Sequence, residues 1–557
     1  MAIIGIDLGT TNSLACVCRE GRVILIPNPL GQPLTPSVVS VDEEGRICVG
    51  AVARERLVAY PGMTAASFKR YMGTDKVFTL AGQKFTPQEL SSFILRQLKE
   101  DAERFLGEEV TEAVISVPAY FNDNQRYATR EAGKLAGLHV ERLVNEPSAA
   151  ALAASRISGE EEGSYLVFDF GGGTLDVSVV DYFDNVIEIV AVRGDNRLGG
   201  DDFDEAIARH FCTCHQIDYE GLTSQKKASL IRLSENCKRE LTSQDRTELV
   251  WETEGKRMEL NNLLLAGICQ EVFDRIGQVV IGALRDSDRS IEDVDEIVLA
   301  GGSSRMPVID FYLQTLLKKR PCRIGSPDEV VAMGAGIYAG IKERRQDIRD
   351  LVLTDICPFT LGINVVNYAD SDNPVMSPVI ERNSILPCSK KGFYTNVYDN
   401  QRHITIGVYQ GEAYYCRDNL KLGMIEMDIL PVPAGRASIQ VCFSYDINGI
   451  LEVEVTDCQK SRMKREVFGR DCQRMSEEEL KRRLEELQAY KLMPAGGIRT
   501  RLVMARGERL FAQLFGVRRQ RVGEVMEQIQ KALPGNNDQQ IVNCLRNAEE
   551  IFDELEE

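Results

Sequence analysis

The sequence lacks the features that define several common classes of protein. No apolar run in its 557 residues approaches the ~20 residues of a membrane-spanning helix, and its first residues show neither the basic region nor the cleavage site of a secretory signal. The 15 cysteines follow no framework spacing, which is typical of reduced thiols. A net charge of −18 argues against nucleic acid or an anionic membrane as a partner, because both require a basic face. We therefore expect a cytoplasmic protein with neither kind of partner.

Two further kinds of site are not indicated. There is no GxxxxGK[ST] motif, so a nucleotide would not be held by a P-loop. His210, Cys212, Cys214 and His215 are spaced too closely for four ligands to close a tetrahedron around zinc, and no second pair lies nearby. We interpret this cluster as part of a helix that carries its two histidines on different faces.

A glycine-rich hairpin is the most informative feature that is present. Tyr165 to Val180 reads YLVFDFGGGTLDVSVV: an apolar strand that ends at Asp169, three glycines, Thr174 and a second apolar strand. Consecutive glycine N–H groups can point at one anion, and only glycine reaches the required positive φ angles at low cost. The carboxylate at the strand end suits a hydrated cation. The hairpin predicts a site for phosphate and a divalent metal ion, although an ordinary β-turn would fit this stretch equally well.

The same pattern occurs near the start of the chain, where Ile3 to Ser13 reads IIGIDLGTTNS. An apolar strand again ends at an aspartate, Asp7, and is followed by Gly9 and two threonines. Two hairpins of one kind predict two lobes that face each other. The phosphates of a nucleotide would lie between the lobes, and each lobe would supply one carboxylate.

The rest of the chain predicts several domains, as its length requires. Pro87–Leu106 and Asp123–Ala136 predict helices on either side of a strand, Ala113–Val117, which indicates an α/β lobe. Cys357–Cys458 alternates apolar and polar residues between turn signals, which predicts an antiparallel β-sandwich. A capping-box pattern at Ser476 begins a helical tail.

Three charged features fit either a nucleotide site or ordinary structure. Lys69 could contact a γ-phosphate, or belong to a solvated basic pair. Glu146 could orient a water molecule, or interact with the dipole of the helix that it begins. Glu235, Lys238 and Arg239 share one helix face and could hold a purine and its ribose, or form a salt-bridged surface. From the residues alone, the structural alternative is the commoner one in each case.

The composition changes between Glu343 and Asp355. A charged run gives way to the apolar segment Leu351–Leu353, which is flanked by Asp350 and Asp355. Because a linker is normally polar, this one is predicted to dock on another part of the protein.

Taken in order, these motifs resemble the seventy-kilodalton heat-shock chaperones, the DnaK-like family, from Ile3 to about Glu478, and are most similar to the divergent bacterial HscC type. The resemblance rests on seven motifs: IIGIDLGTTNS, VPAYFND, VNEPSAAALA, FDFGGGTLDVS, LGGDDFD, GGSSRMP and DLVLTD. It implies an α/β actin-like, two-lobed ATPase domain (1–349), a linker (350–356), an antiparallel β-sandwich that binds peptide (357–475) and a short α-helical lid (476–557). The implied function is that of an ATP-dependent chaperone in the stress response. Its slow ATP hydrolysis would control the affinity for apolar segments of unfolded or specific client proteins.

The resemblance also implies roles for individual residues of the ATPase domain. Asp7 and Asp169 would organise Mg²⁺ through water, together with monovalent ions such as K⁺, and Lys69 and Glu146 would complete the catalytic set. Other residues would bind the nucleotide: Gly9, Thr10, Thr11, Asn12, Gly171, Gly172, Gly173, Thr174, Gly199 and Gly200 around the phosphates, and Glu235, Lys238, Arg239, Thr242, Gly301, Gly302, Ser303, Arg305 and Asp328 around the remainder.

Coupling and partner contacts are implied in the same way. Communication between the domains would use Pro118, Arg126, Asp350, Leu351, Leu353 and Asp355. A J-domain co-chaperone would engage Arg142 and Asn145, and client peptide would lie against Ile363, Val366, Tyr394, Val397, Ile404 and Ile406. We expect a monomer and leave the need for a nucleotide exchange factor open.

The sequence departs from the family pattern at several points. Asn196 stands where the family usually has a threonine, so a role for that hydroxyl near the γ-phosphate is lost. Val366 and Val397 replace the usual methionine and alanine of the arch over the peptide. The segment from Phe211 to Leu233 and the helical tail are both short. Two alternatives remain at this point: an actin-like small-molecule kinase, and a non-catalytic ATP-binding scaffold.

Overall fold

The computed structural model describes residues 2–158, 162–183, 186–322, 325–342, 352–367, 370, 372–446, 451–459, 462–468, 482–487, 490–492, 497–533 and 538–556. Asp350 and Leu351 of the predicted linker, and Ser476 at the predicted start of the tail, lie outside these residues. None of the helices within the described ranges is long and apolar enough to cross a membrane.

A mixed sheet organises residues 2–158, which we call the first lobe. Its strands run in the order His139–Asn145, Val110–Val117, Ala2–Asp7, Asn12–Arg19 and Arg22–Ile26, with Thr35–Pro36 paired to Asn12–Arg19. The first three of these strands are parallel, and the others are antiparallel hairpin partners. The α-helices are Ala51–Ala59, Pro87–Leu106, Asp123–Leu135 and Glu146–Ser158. Short strands complete the lobe: Val39–Val41, Ile47–Val49, Thr64–Ala65, Phe78–Leu80 and Gln83–Phe85.

A second mixed sheet organises residues 162–322, which we call the second lobe. Its strands run in the order Glu296–Ala300, Glu162–Phe170, Leu175–Phe183 and Val186–Asp195, followed by Val352–Ile356 and Ile385–Leu386 from beyond the lobe. The helices of this lobe are Gly200–Cys214, Ser224–Glu240, Asn262–Ile268, Gln270–Asp286 and Pro307–Leu317, and Arg246–Trp251 pairs with Lys256–Asn261 as a separate hairpin. His210, Cys212 and Cys214 lie in the first of these helices, and His215 directly follows its end.

Two helices with small side chains join the lobes. Glu146–Ser158 packs closely against Val330–Lys342, in a core shared by both sheets. The approach is so close that a Cβ atom on Gly334 would lie 1.9 Å from the carbonyl oxygen of Ala149. A Cβ atom on Gly5 would likewise lie 2.5 Å from the backbone of the second helix. Glycine at these positions therefore sets the separation of the lobes.

Residues 357–468 form two four-stranded antiparallel sheets. One has the order Val375–Ile380, Leu361–Val365, His403–Gln410, Leu420–Asp428, and the other has the order Cys388–Tyr394, Ile439–Tyr445, Leu451–Asp457, Arg462–Phe468. Both sheets contribute to one core, in which Val408, Val441, Phe443 and Val453 are fully buried. The prediction of antiparallel sheets in this segment is confirmed.

Three helices near the end of the chain form what we call the C-terminal bundle: Ile498–Gln513, Gly516–Ala532 and Asp538–Glu556. Leu510, Val522, Ile529, Ala548 and Phe552 are buried in its core. Each helix packs against the other two.

The linker, the antiparallel sheets and the helical tail all contact the lobes. Val352–Ile356 adds a parallel strand to Val186–Asp195 of the second lobe, with Leu353 opposite Ile187. The sheets reach the first lobe at Asp123, whose carboxylate accepts a hydrogen bond of 2.9 Å from the Tyr445 hydroxyl. The described part of the linker, which begins at Val352, therefore docks on the second lobe by strand pairing, as predicted for the apolar segment.

The first described residues of the helical tail, 482–487 and 490–492, contact the first lobe. Arg96 of the first lobe donates to the carbonyl oxygens of Leu487 and Tyr490, at 3.1 and 2.7 Å. Arg483 pairs with Glu89, which is buried in the same helix as Arg96. The described part of the tail thus packs on the first lobe.

We predict that Gly334→Ala destabilises the lobes although alanine favours helices. The added methyl group would overlap the backbone of the neighbouring helix, and such overpacking costs about 1–3 kcal/mol. Calorimetry should show a lower melting temperature for the transition of the lobes. In the control Gly267→Ala, also within a helix, the added Cβ atom meets nothing within 4 Å, so the melting temperature should stay or rise slightly. Equal behaviour of the two variants would contradict the close helix packing.

Candidate nucleotide site

A cavity of about 720 Å³ lies between the two lobes, where the two glycine-rich turns meet. The turns are in direct contact: a Cβ atom on Gly172 would lie 1.7 Å from Thr11 Oγ1, and one on Gly173 would lie 2.4 Å from Thr10 Cγ2. Any larger side chain at these glycines would push the lobes apart. The two hairpins therefore face each other across one cavity.

The cavity collects most of the residues predicted to bind a nucleotide. Those that line it are Asp7, Gly9, Thr10, Thr11, Asn12, Lys69, Glu146, Asp169, Gly171, Gly172, Thr174, Glu235, Lys238, Arg239, Thr242, Gly301, Gly302, Ser303, Arg305 and Asp328. Gly173, Gly199 and Gly200 lie behind this lining. A Cβ atom on Gly199 would lie 2.3 Å from the Gly172 carbonyl oxygen, so these glycines support the turn from behind.

Lys69 and Glu146 form a buried ion pair at the floor of the cavity. The Lys69 ammonium donates to Glu146 Oε1 at 2.8 Å, and the two side chains are only 5% and 7% exposed. The solvated basic pair that the residues alone favoured for Lys69 is therefore wrong, because Lys69 is held inside the protein by a carboxylate. Glu146 is the first residue of its helix, as predicted, and its carboxylate also accepts from Lys69.

Asp7 and Asp169 lie at the ends of equivalent strands, and both interact with this ion pair. Asp7 Oδ1 accepts a hydrogen bond of 2.7 Å from the hydroxyl of Ser116, which lies on the neighbouring parallel strand. Asp169 is paired in register with Asp176 across the second hairpin. All three carboxyl groups face the buried Lys69–Glu146 pair.

The electrostatics of the floor suit a bound cation. Burial, reinforced by Glu146, raises the pKa of Asp7 to about 7, against the opposing effects of Lys69 and Ser116. The same two causes raise the pKa of Asp176 to about 7, and the pKa of Asp169 is also well above its usual value. One ammonium group does not balance four buried carboxyl groups, so a divalent cation at this position would allow them all to ionise. The donor set, carboxylates and hydroxyls, is the one that Mg²⁺ prefers.

The threonines of the first turn are ready to bind an anion. Among the described residues, Thr10 Oγ1 and Thr11 Oγ1 are buried without a hydrogen-bond partner. A buried hydroxyl without a partner costs about 1–3 kcal/mol. Phosphate oxygens in the adjacent cavity would supply the missing acceptors.

The opposite end of the cavity carries a separate set of charges. Arg305 and Asp328 form an ion pair of 2.6 Å, and Lys238 is bonded to Asp204 and to the carbonyl oxygen of Gly200, at 2.8 and 2.9 Å. Glu235 pairs across the mouth of the cavity with Arg54 of the first lobe. Burial raises the pKa of Glu235, but Arg54 and Arg232 outweigh burial and the pKa is lowered.

Several residues of the site were not predicted from the sequence. Asp176 could have been found, because it mirrors Asp169 across the hairpin turn. Ser116, Arg54 and Asp204 gave no signal in the sequence, since their roles depend on a neighbouring strand, the facing lobe and the partner of Lys238. Asn196, the departure from the family pattern, donates to Gln125 of the first lobe at 3.3 Å.

Two of the predicted coupling residues, Pro118 and Arg126, belong to a hydrogen-bonded group that also includes Asn145. Arg126 donates to Asn145 Oδ1 at 2.6 Å and to the carbonyl oxygens of Phe121 and Ala119. Phe121 in turn donates its N–H to the carbonyl oxygen of Pro118. Asn145 is buried in this conformation, and its contact with a J-domain stays a prediction. Arg142 lies over the ring of Tyr338, 4.7 Å from its centre.

The residues predicted to bind peptide lie in or beside the core of the antiparallel sheets. Ile363, Ile404 and Ile406 are buried, and Tyr394 packs against the same core while its hydroxyl lies 3.3 Å from that of Ser377. Val366 and Val397 are half-buried.

Two facing glycine-rich turns, unsatisfied hydroxyls and a buried lysine within a carboxylate cluster define a nucleotide-binding protein. The sequence profile described as "Hsp70 protein" matches residues 3–79 and 74–495. The chain is also 39% identical over 510 residues to the chaperone protein DnaK of Thermotoga neapolitana, an alignment that covers 88% of this chain and 84% of that protein.

The chain therefore belongs to the Hsp70 family. It is an ATP-dependent chaperone of the DnaK-like kind, with the ATPase activity of that family. Members of the family bind ATP and Mg²⁺ and act on client polypeptides together with co-chaperones. The small-molecule kinase and the non-catalytic scaffold considered from the sequence are not supported.

We predict that Gly172→Ala lowers the affinity for Mg·ADP at least tenfold, because its methyl group would occupy the position of Thr11 Oγ1 and separate the turns. The double variant Gly172→Ala/Thr11→Ala should recover thermal stability, since it removes the overlapping oxygen. The control Gly62→Ala adds a methyl group with nothing within 4 Å and should bind like the wild type. Calorimetric titration measures the affinities and scanning calorimetry the thermal stability. An unchanged affinity in Gly172→Ala would show that the turns are not in contact in solution.

Proposed function

We propose that ATP binds in this cavity with its phosphates between the two turns and its adenosine toward Arg239 and Arg305. The observation that carries the proposal is the buried Lys69–Glu146 pair between Asp7 and Asp169. An ammonium group beside acidic side chains at a phosphate-sized opening is the arrangement that a hydrolytic phosphate site requires.

Each residue of the floor has a distinct role in this proposal. Lys69 contacts the γ-phosphate, and Glu146 with Asp169 positions the attacking water, because both carboxylates lie beside the Lys69 ammonium. Thr10 and Thr11 donate their free hydroxyls to phosphate oxygens. Mg²⁺, when bound, would neutralise charge on the phosphates. Asp7 and Asp169 would hold it through water, and the carboxylate charge that remains would attract K⁺.

The nucleotide site belongs to an actin-like ATPase domain of two lobes (1–349). We further propose that 350–356 is the interdomain linker, 357–475 a β-sandwich that binds peptide, and 476–557 a helical lid. The shared core of the two antiparallel sheets supports the β-sandwich, and the strand pairing of Val352–Ile356 supports the linker. The lid in this conformation lies on the lobes.

The docked β-sandwich represents one state of a switch. In this state the linker extends the sheet of the second lobe and Tyr445 bonds to Asp123. ATP must favour one state by about 5 kcal/mol to shift such an equilibrium decisively. Release of the linker and of the Asp123 contact would free the β-sandwich to hold peptide against Ile404, Ile406 and the arch valines.

The partners follow from the same switch. Arg142 lies over the ring of Tyr338, in the helix Val330–Lys342 that helps to join the two lobes. A J-domain co-chaperone that engages Arg142 would therefore act at this helix. Asn196, which stands where the family usually has a threonine, supports our proposal of an HscC-like subtype. The cytoplasmic location and the monomeric state remain predictions, and the need for an exchange factor remains open.

We predict that Lys69→Ala lowers the single-turnover rate of ATP hydrolysis by about 100-fold or more, because it removes a charge that stabilises the transition state. Binding of ATP should be reduced far less. Quench-flow measurement with labelled ATP provides the rate. The control Lys76→Ala removes an exposed lysine of the same lobe and should leave the rate unchanged; a fast Lys69→Ala enzyme would refute the assigned role.

We predict that Tyr445→Phe weakens docking of the β-sandwich and slows the release of bound peptide on addition of ATP. The buried Asp123 would lose its 2.9 Å donor, and a buried carboxylate deprived of its partner costs about 1–3 kcal/mol. Fluorescence of a labelled peptide follows its release. Leu353→Asp, in the docked linker strand, should have the same effect.

The control for this experiment is Tyr414→Phe, which removes the hydroxyl of an exposed tyrosine from the same sheets. ATP-induced release should be unchanged in this variant. If Tyr445→Phe and Leu353→Asp both respond to ATP like the wild type, the docked contacts do not carry the switch.

A further inference from the structure

The C-terminal bundle lies on the first lobe through an apolar contact. Ala505 of the bundle is buried against Val52 and Ala53 of helix Ala51–Ala59, and Leu502 packs beside it. The first turns of this same helix line the nucleotide cavity. The bundle is therefore attached directly behind one wall of the cavity.

A half-buried carboxylate links the bundle to both lobes. Glu55, on helix Ala51–Ala59, pairs with Arg509 of the bundle and lies 3.5 Å from Arg232 of the second lobe. Arg509 is 4% exposed and also pairs with Glu556, in the last helix of the bundle. Three parts of the protein thus meet at one acidic side chain.

The bundle has an independent attachment to the second lobe. Arg518, in the second helix of the bundle, pairs with Glu252 of the second lobe and donates to the carbonyl oxygen of Leu555. Glu252 directly follows the strand Arg246–Trp251. The same bundle therefore contacts the first lobe at Glu55 and the second lobe at Glu252.

The attachment at Glu55 lies beside the mouth of the nucleotide cavity, because the preceding residue, Arg54, lines that cavity. Arg54 and Glu235 line the cavity from opposite lobes and pair across the mouth. A nucleotide enclosed by two lobes leaves only when the lobes separate at this point. Separation would move Glu55 away from Glu252, so the bundle must give up one of its two attachments.

We propose that the C-terminal bundle is a built-in brake on nucleotide release, which holds the two lobes together until it detaches from one of them. The inference rests on the nucleotide site proposed above. It assigns the tail a task on the lobes that is separate from any action on peptide. A partner that displaces the bundle would accelerate nucleotide exchange because the lobes could then separate. Such a partner would not need to push the lobes apart.

A charge swap at the second attachment tests the brake in the full-length protein. Stopped-flow fluorescence measures the release of a fluorescent, non-hydrolysable ATP analogue after a chase with unlabelled ATP. Glu252→Arg and Arg518→Glu should each accelerate release about twofold to fivefold, because a partly exposed pair has a modest strength and each variant places like charges together. The double variant Glu252→Arg/Arg518→Glu restores an opposite-charge pair and should return release toward the wild-type rate.

The matched control keeps the charge change inside the bundle. Arg521 pairs at 3.0 Å with Glu554 of the same bundle, so Arg521→Glu should leave release unchanged. Arg509→Ala, which frees the buried attachment, should accelerate release about tenfold or more. The charge-swap pair keeps the test valid even if Arg509→Ala unfolds the bundle.

The outcomes separate the brake from the nucleotide site. If Glu252→Arg and Arg518→Glu bind the analogue and release it at the wild-type rate, the brake is wrong and the nucleotide site stands. If the double variant releases as fast as the singles, the pair itself does not hold the lobes and the brake is also overturned. If the wild type binds no nucleotide, the proposed site fails and the brake fails with it.

Discussion

The close contact between two glycine-rich turns is the constraint on which the rest of the structure depends. Gly172 and Gly173 allow the backbone of one hairpin to lie against Thr10 and Thr11 of the other. Because the turns touch, Asp7 and Asp169 both come within electrostatic reach of a single lysine, Lys69. Gly334 maintains the same closeness on the far side of the lobes, where the two small-residue helices pack. Glycines at these positions thus determine both how closely the two turns approach and how far apart the two lobes lie.

That closeness has an electrostatic consequence. Four carboxyl groups are brought into a buried space with one ammonium group, and the pKa values of Asp7 and Asp176 rise to about 7 as a result. A bound cation relieves this repulsion, so the site is completed by its ligands rather than by further side chains. The unpartnered hydroxyls of Thr10 and Thr11 provide in the same way for an anion, because they can donate hydrogen bonds to phosphate oxygens. A magnesium nucleotide matches both features, since its cation would meet the carboxyl groups and its phosphate oxygens would meet the hydroxyls.

The sequence predicted the parts of this site that depend on local pattern. The two hairpins, the strand-end aspartates and the antiparallel segment follow from periodicity and glycine placement. The family resemblance supplied Lys69 and Glu146, for which the local pattern alone favoured ordinary surface roles. What could not be predicted depends on tertiary contact. Ser116 reaches Asp7 from a neighbouring strand, Asn145 is buried by Arg126, and nothing in the sequence of the tail indicates that Arg509 and Arg518 meet acidic residues of the lobes.

The site and the two docked parts are connected by short physical routes. Asp123 and Arg126 lie one turn apart on one helix; the first contacts Tyr445 of the antiparallel sheets, and the second bonds to Asn145, the residue before Glu146. A shift of Glu146 on binding a γ-phosphate would therefore reach the β-sandwich through two hydrogen bonds. On the opposite side, helix Ala51–Ala59 connects the cavity wall to the C-terminal bundle through Glu55. A nucleotide bound as proposed would therefore bias both attachments at once, and coupling between distant sites requires a two-state element that each site biases.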